Sequence, residues 1–237
     1  MKEVDYTLIT GAARRVGRAI ALHLAERGHD IAIHYSHSEE EALSLQGEIE
    51  QMGRKALLIR ADLSGSEEAG AIIAAVLKAG GIRALVNNAS IFERLDTRST
   101  TLEAWQRHLS VNLTAPFLLS QAYATQAPTG RIVNLLDWRT ARSDAAHLPY
   151  AVSKAALEAL TRNLAADLAP AFQVNGLALG AVLPPSDGRD VAHLIKDVPA
   201  GRWADLVEVG EAVRFLLEGP SYITGEVLTI DGGRHLV

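Results

Sequence analysis

Tyr6-Thr7-Leu8-Ile9-Thr10-Gly11-Ala12-Ala13-Arg14-Arg15-Val16-Gly17 is the stretch that decides the fold. Its apolar opening has strand character, its middle is a turn marked by glycine, and a helical pattern through Ile20, Leu22 and Leu24 follows, closing near Gly28. Strand, glycine turn and helix in direct succession bring backbone N–H groups and the positive end of a helix dipole to one point, where a phosphate can approach closely. Any tight strand-to-helix connection also favours glycine, so the rest of the chain must decide what this one serves.

Outward from that turn, strand-like runs recur at residues 30–35, 55–60, 84–87, 130–136, 173–179 and 226–230, each separated from the next by a helical stretch. Several are apolar without alternation, which marks strands covered on both faces. Strand and helix alternating along the whole chain predict a single α/β domain over residues 1–237: a doubly wound parallel sheet of the Rossmann type between two helical layers, with its ligand site at the carboxyl ends of the strands. Thr10, Asp62, Asn88, Asp137 and Gly180 fall at or just after such ends. Residues 180–200 lack a clear pattern and contain Pro184, Pro185, Gly188 and Pro199; a loop this long is more often functional than structural, and it is expected to be a substrate lid.

Composition narrows the function classes. The 237 residues, 48% hydrophobic and 22% charged, suffice for one full core. A net charge of −5 and the lack of a basic stripe disfavour nucleic acid as a partner. With no cysteine there is neither disulfide nor thiolate chemistry, and no His or carboxylate cluster has metal spacing, so no metal is expected. Met1-Lys2-Glu3-Val4-Asp5 leads directly into the first strand with no signal-peptide core, and no apolar segment approaches the ~18 residues of a membrane span. A cytoplasmic protein is the expectation.

Chemistry enters at Tyr150-x-x-x-Lys154. Positions i and i+4 share a helix face, so the Lys154 ammonium can sit near the Tyr150 phenol and favour its ionised form, giving a general acid active near neutral pH. Asp137 adds a carboxylate thirteen positions earlier. As a lone motif the Tyr-Lys pair is weak, and Asp137 could instead cap the next turn or pair with Arg139 or Arg142.

Thr10-Gly11, Asp62-Leu63, Asn87-Asn88-Ala89, Asn112, Tyr150-x-x-x-Lys154 and Asp231-Gly232-Gly233 together resemble the short-chain dehydrogenase/reductase family from end to end. Three departures resemble its pteridine reductase branch: Arg15 in place of the second glycine, Ser90 in place of the glycine of Asn-Asn-Ala-Gly, and Asp137 in place of the catalytic serine. His34-Tyr35-Ser36-His37-Ser38 and the ending Asp231-Gly232-Gly233-Arg234-His235-Leu236 are similar to that branch too, the latter to bacterial dihydromonapterin reductases. Leu179-Gly180-Ala181-Val182 stands where the family has Pro-Gly and then a hydroxyl residue.

The resemblance implies cofactor contacts from Gly11, Arg14, Arg15 and Val16 at the turn, Asp62 and Leu63 at the adenine end, Asn88, Ala89 and Ser90 near the ribose, and Tyr150, Lys154 and Gly180 near the nicotinamide. It implies that Asn112 holds a water linking Lys154 to solvent, that Phe92 sandwiches the substrate ring, and that Arg15 and Ser90 also touch substrate. A homotetramer built on helices at 102–126 and 148–168 is likewise implied.

NADPH is argued independently. No Asp or Glu stands between Ile31 and Ser38 to bind a ribose 2′-hydroxyl, whereas Arg14, His34, Tyr35 and Ser38 can bind a 2′-phosphate. Asp137 points to the substrate: a carboxylate repels the alkoxide that develops at a reduced carbonyl, but suits a substrate with N–H donors or developing positive charge. C=N is favoured over C=O, and a dihydropterin fits, with Tyr150 and Asp137 as proton-relay pair. Two alternatives stay open: an NADPH-dependent carbonyl reductase acting on a ketone or quinone, and a non-catalytic dinucleotide-binding sensor.

Overall fold

The computed structural model describes residues 4–65, 68–183 and 195–237, with Ala141 defined by its backbone alone. Seven strands form one fully parallel sheet: β1 (Asp5–Ile9), β2 (Asp30–Tyr35), β3 (Ala56–Arg60), β4 (Gly81–Asn87), β5 (Gly130–Asp137), β6 (Phe172–Leu179) and β7 (Val227–Ile230). Their order is β3-β2-β1-β4-β5-β6-β7, the doubly wound arrangement the alternation predicts. Between them run α1 (Arg15–Glu26), α2 (Glu39–Gln51), α3 (Glu68–Ala79), α4 (Leu102–Leu109), α5 (Ala115–Gln126), α6 (Leu148–Leu168) and α7 (Leu206–Glu218).

Period-two alternation of the strands divides the core. Ile9, Ile31, Ile33, Val86 and Val133 face the layer of α1, α2 and α7, with Ile20, Leu24, Leu45 and Val213. Leu8, Ala32, Leu85, Ile132 and Val174 face the layer holding Ile73, Leu119, Tyr123 and Leu164. Both faces are covered, which is why the strands read as unalternating apolar runs.

Two elements differ from the expectation. β4 begins three residues before 84, because Gly81 and Ile82 pair with Asp5 and Tyr6 across a register shift that the glycine and the charged Arg83 obscure. The helix expected over 102–126 is broken into α4, a π-helical turn (Ser110–Thr114) and α5. Pro116, near the start of α5, has no N–H to return to the Asn112 carbonyl four residues back, and the helix widens there. Of the expected lid, residues 184–194 lie outside the described residues. Among the described residues no helix is long and apolar enough to cross a membrane.

Candidate active site

A cavity of about 870 Å³ opens along the carboxyl ends of the strands. Of the predicted residues, Gly11, Arg14, Arg15, Val16, His34, Asp62, Leu63, Asn88, Ala89, Ser90, Phe92, Asp137, Tyr150, Lys154 and Gly180 line it. Tyr35, Ser38 and Asn112 do not. Tyr35 follows Ile31 and Ile33 on the same face of β2 into the core, at 6% exposure. Ser38 occupies the N-cap position of α2, and Ser36 and His37 line the cavity in their place. Sequence reasoning also missed Arg107, Trp138 and Trp203, and it named Arg139 only as a partner for Asp137 and Arg234 only within the terminal motif, not as cavity residues. Trp138 and Arg139 directly follow Asp137 at a strand end, the one signal that could have found them.

The glycine turn is a preformed cradle. Gly11 sits at φ +61, and a Cβ on Gly17 would meet the Gly11 carbonyl oxygen. Asn88 braces the turn from β4: its amide donates to the Thr10 and Gly11 carbonyls at 2.8 and 3.1 Å, while Thr10 Oγ1 accepts from the Asn88 and Ala89 backbone N–H groups. Arg15 lines the cavity at φ +53, a left-handed conformation that costs a non-glycine residue about 1–2 kcal/mol.

His34 is buried behind this turn, where its Nδ1 accepts from Gly11 N–H at 3.1 Å. Burial pushes its pKa down to about 4, so the ring is neutral with its hydrogen on the buried Nε2, towards the Ala61 backbone. It is a buried neutral ring behind the turn and not the cation a 2′-phosphate pairs with. Arg14 lies 3.6 Å from Glu41 in the first turn of α2, beyond the carboxylate-free segment between Ile31 and Ser38. The glycine cradle and the exposed Arg14 and His37 fit the phosphates of a dinucleotide.

At the other end, Tyr150 Oη donates to Asp137 Oδ2 at 2.8 Å. Lys154 Nζ is buried and donates to the Leu135 carbonyl at 2.7 Å, lying 5.9 Å from the centre of the Tyr150 ring. Burial and the adjacent Asp137 hold the Tyr150 pKa well above its usual value, and burial lowers Lys154 to about 8. The expectation of a lowered phenol pKa is thus reversed: desolvation and a facing carboxylate outweigh the opposing charge of Arg139.

Asp137 also caps the 3-10 turn (Trp138–Ala141) through Arg139 N–H, and Arg139 Nη1 lies 3.1 Å from each of its oxygens. Among the described residues, every hydrogen bond to Asp137 comes from a donor group. From Arg139 the contacts run on, Nε to Asp144 at 2.8 Å and Asp144 to His147 Nδ1 at 2.9 Å. His147 stacks on Phe92 at 4.3 Å, and Phe92 meets the Tyr150 ring edge-on at 4.6 Å. The circuit closes on the phenol where it began.

Asn112 stands outside the cavity. Its Oδ1 accepts from Ser90 Oγ and Ile91 N–H, and its Nδ2 donates to the Ile91 carbonyl and Ser153 Oγ, all within 2.9–3.1 Å. These four bonds saturate the amide. The side chain braces the 90–91 segment against α6.

Comparison with known proteins agrees with this geometry. A family model described as enoyl-(acyl carrier protein) reductase matches residues 11–235. The chain is 34% identical over 242 residues to the short-chain dehydrogenase/reductase FrzI of Cladobotryum, covering 95% of this chain and 94% of that one. This chain belongs to the short-chain dehydrogenase/reductase family. A Synechocystis relative, 30% identical over 238 residues with 95% of each chain covered, is named 3-oxoacyl-[acyl-carrier-protein] reductase. Among solved structures, FolM alternative dihydrofolate reductase 1 from Brucella canis, complexed with NADP, superposes with a TM-score of 0.93 at 35% identity, over 98% of this chain and 94% of that one. Among the described residues no three His, Asp or Glu side chains converge to hold a metal ion.

Proposed function

We propose that this chain reduces a pterin-type C=N bond, converting a dihydropterin to a tetrahydropterin with NADPH. It is an NADP-dependent reductase of the short-chain family. The observation that carries the finer reading is the Tyr150–Asp137 pair on the cavity wall. A carbonyl reductase needs a neutral donor where Asp137 stands, because the oxygen of its substrate becomes an alkoxide. A carboxylate there is matched by amino and ring N–H donors, which a pterin presents. The likeness to FolM supports the same substrate class.

NADPH, when bound, supplies a hydride. Tyr150 Oη keeps its proton across neutral pH and holds it against Asp137 Oδ2, so one proton is shared by the relay pair and is available to the ring nitrogen beside the reduced carbon. Lys154 sets a positive charge behind the phenol that offsets the negative charge left there, and Arg139 tempers the carboxylate from the other side. Arg15, Ser90 and Phe92 line the same space and are assigned to substrate, with Arg15 also reaching the pyrophosphate.

The names of the acyl-carrier-protein relatives favour a second reading, reduction of a carbonyl. Steady-state oxidation of NADPH with dihydropterins and with simple ketones, on the native enzyme and Asp137→Ser, separates the two. Exposed Leu102, Phe117 and Val152 on α4, α5 and α6 support association into a homotetramer, which light scattering after size exclusion tests. A cytoplasmic location is part of the same proposal.

A further inference from the structure

Two buried histidines stand at opposite ends of β2. His29, just before its start, bonds Thr7 Oγ1 at 2.8 Å through Nδ1 and Glu218 at 2.9 Å through Nε2, and it does not line the cavity. His34, one residue before its end, does line it, and its contacts run to the glycine turn.

Gly11 is gripped at both ends of its backbone. Its N–H donates to His34 Nδ1 at 3.1 Å, its carbonyl accepts from the Asn88 amide at 3.1 Å, and the next N–H, that of Ala12, donates to the His34 carbonyl at 2.9 Å. The Nε2 hydrogen of His34 points towards the Ala61 backbone, which leaves Nδ1 as the acceptor that Gly11 needs. Gly11 thus turns its N–H inward, behind the turn. Donors for a phosphate come from further along, in the first turn of α1, where the N–H groups of Val16 and Gly17 have no helical carbonyl to bond and N-cap Arg14 gives them no side-chain cap. Gly17 packs so closely on the Gly11 carbonyl oxygen that no Cβ fits between them, so the setting of the Gly11 peptide fixes where that helical turn lies.

We propose that His34 is a positioning residue for NADPH: by accepting from the Gly11 N–H it holds the glycine turn, before the cofactor arrives, in the shape that presents the first turn of α1 to the pyrophosphate. A preset turn removes an ordering cost from binding. A leucine at this position leaves a buried N–H without its acceptor, whereas the side-chain oxygen of an asparagine stands close to the place of Nδ1 and can accept instead. The role holds whichever substrate is reduced.

The test is calorimetric titration of NADPH into the native protein, His34→Leu, His34→Asn and, as a control for lost stability alone, His29→Leu, each shown by thermal unfolding to be folded at the assay temperature. The expected result is a Kd about 10-fold or more weaker in His34→Leu and within about 3-fold of native in His34→Asn. His29→Leu should lower Tm and leave Kd unchanged. Amide exchange over residues 8–17 without NADPH should be faster in His34→Leu than in the native protein or His34→Asn, and should slow again at saturating NADPH. Where His34→Leu does not fold, His34→Gln, whose longer side chain carries its oxygen past the place of Nδ1, replaces it with the same expected ordering. A native Kd, or native exchange over residues 8–17, in folded His34→Leu overturns the role. An equal loss in His34→Leu and His34→Asn overturns it too, making the ring's volume and not the Gly11 bond the determinant. A matching loss in His29→Leu also overturns it, by tracing the effect to stability alone.

Discussion

Tyr150 Oη and Asp137 Oδ2 are 2.8 Å apart, with the phenol as donor, on the wall of a cavity at the carboxyl ends of a parallel sheet. The phenol sits on α6 and the carboxylate ends β5, and these two elements pack directly on one another. The pair is therefore set by the fold. Because burial and then the carboxylate hold the phenol protonated, the site is arranged to keep a proton until a substrate nitrogen takes it.

The pH dependence of turnover should report Lys154. Its ammonium, at about 8, is charged below that pH and discharged above it, whereas Tyr150 titrates far higher. As pH rises through 8 the positive charge behind the phenol is lost, so kcat/KM falls along a single basic limb. Lys154→Arg should move that limb out of the accessible range, which a pH–rate profile of both proteins checks.

Stability should fall with acid because of His34. Its folded pKa of about 4 lies below the ordinary histidine value of 6.5, so the unfolded chain binds the proton first. The stability it contributes is complete above 6.5, declines as pH drops from 6.5 towards 4, and is fully lost below. The loss is about 3 kcal/mol at most. Melting curves between pH 7 and 4.5 should show the decline, flattened in His34→Gln.

Arg15 carries left-handed backbone strain at a position lining the cavity. Arg15→Gly should raise Tm by about 2–4 °C for each kcal/mol relieved while raising KM for NADPH and substrate, a stability gain opposed to function. Thermal unfolding and steady-state kinetics on the same preparation check both halves.

His147 is held by Asp144 and stacks on Phe92, itself 51% exposed at the cavity. His147→Ala should free the Phe92 ring and raise substrate KM about 2- to 10-fold, with kcat changed little. A rise in KM without loss of kcat separates this positioning effect from damage to the Tyr150–Asp137 pair.

The sheet was legible because strands buried on both faces carry continuous apolar runs, so six of seven runs match their strands to within a residue. β4 was partly hidden because Gly81 and Arg83 interrupt its apolar signal. The phenol, ammonium and carboxylate were legible because a helical repeat and a strand end place them whatever the loops do. Their electrostatics were not: the raised Tyr150 pKa depends on burial and on a facing carboxylate, neither of which spacing encodes. Tyr35 was assigned to the cavity although its parity with Ile31 and Ile33 sends it into the core. The Arg139–Asp144–His147 links depend on the path of the loop between β5 and α6, which carries no periodic signal.

The most direct test is turnover of a dihydropterin and of a ketone with NADPH by the native enzyme and by Asp137→Ser. Dihydropterin turnover in the native enzyme that falls about 100-fold or more in the variant is the predicted result. Ketone turnover retained or improved in Asp137→Ser, with no pterin activity in the native enzyme, would contradict it.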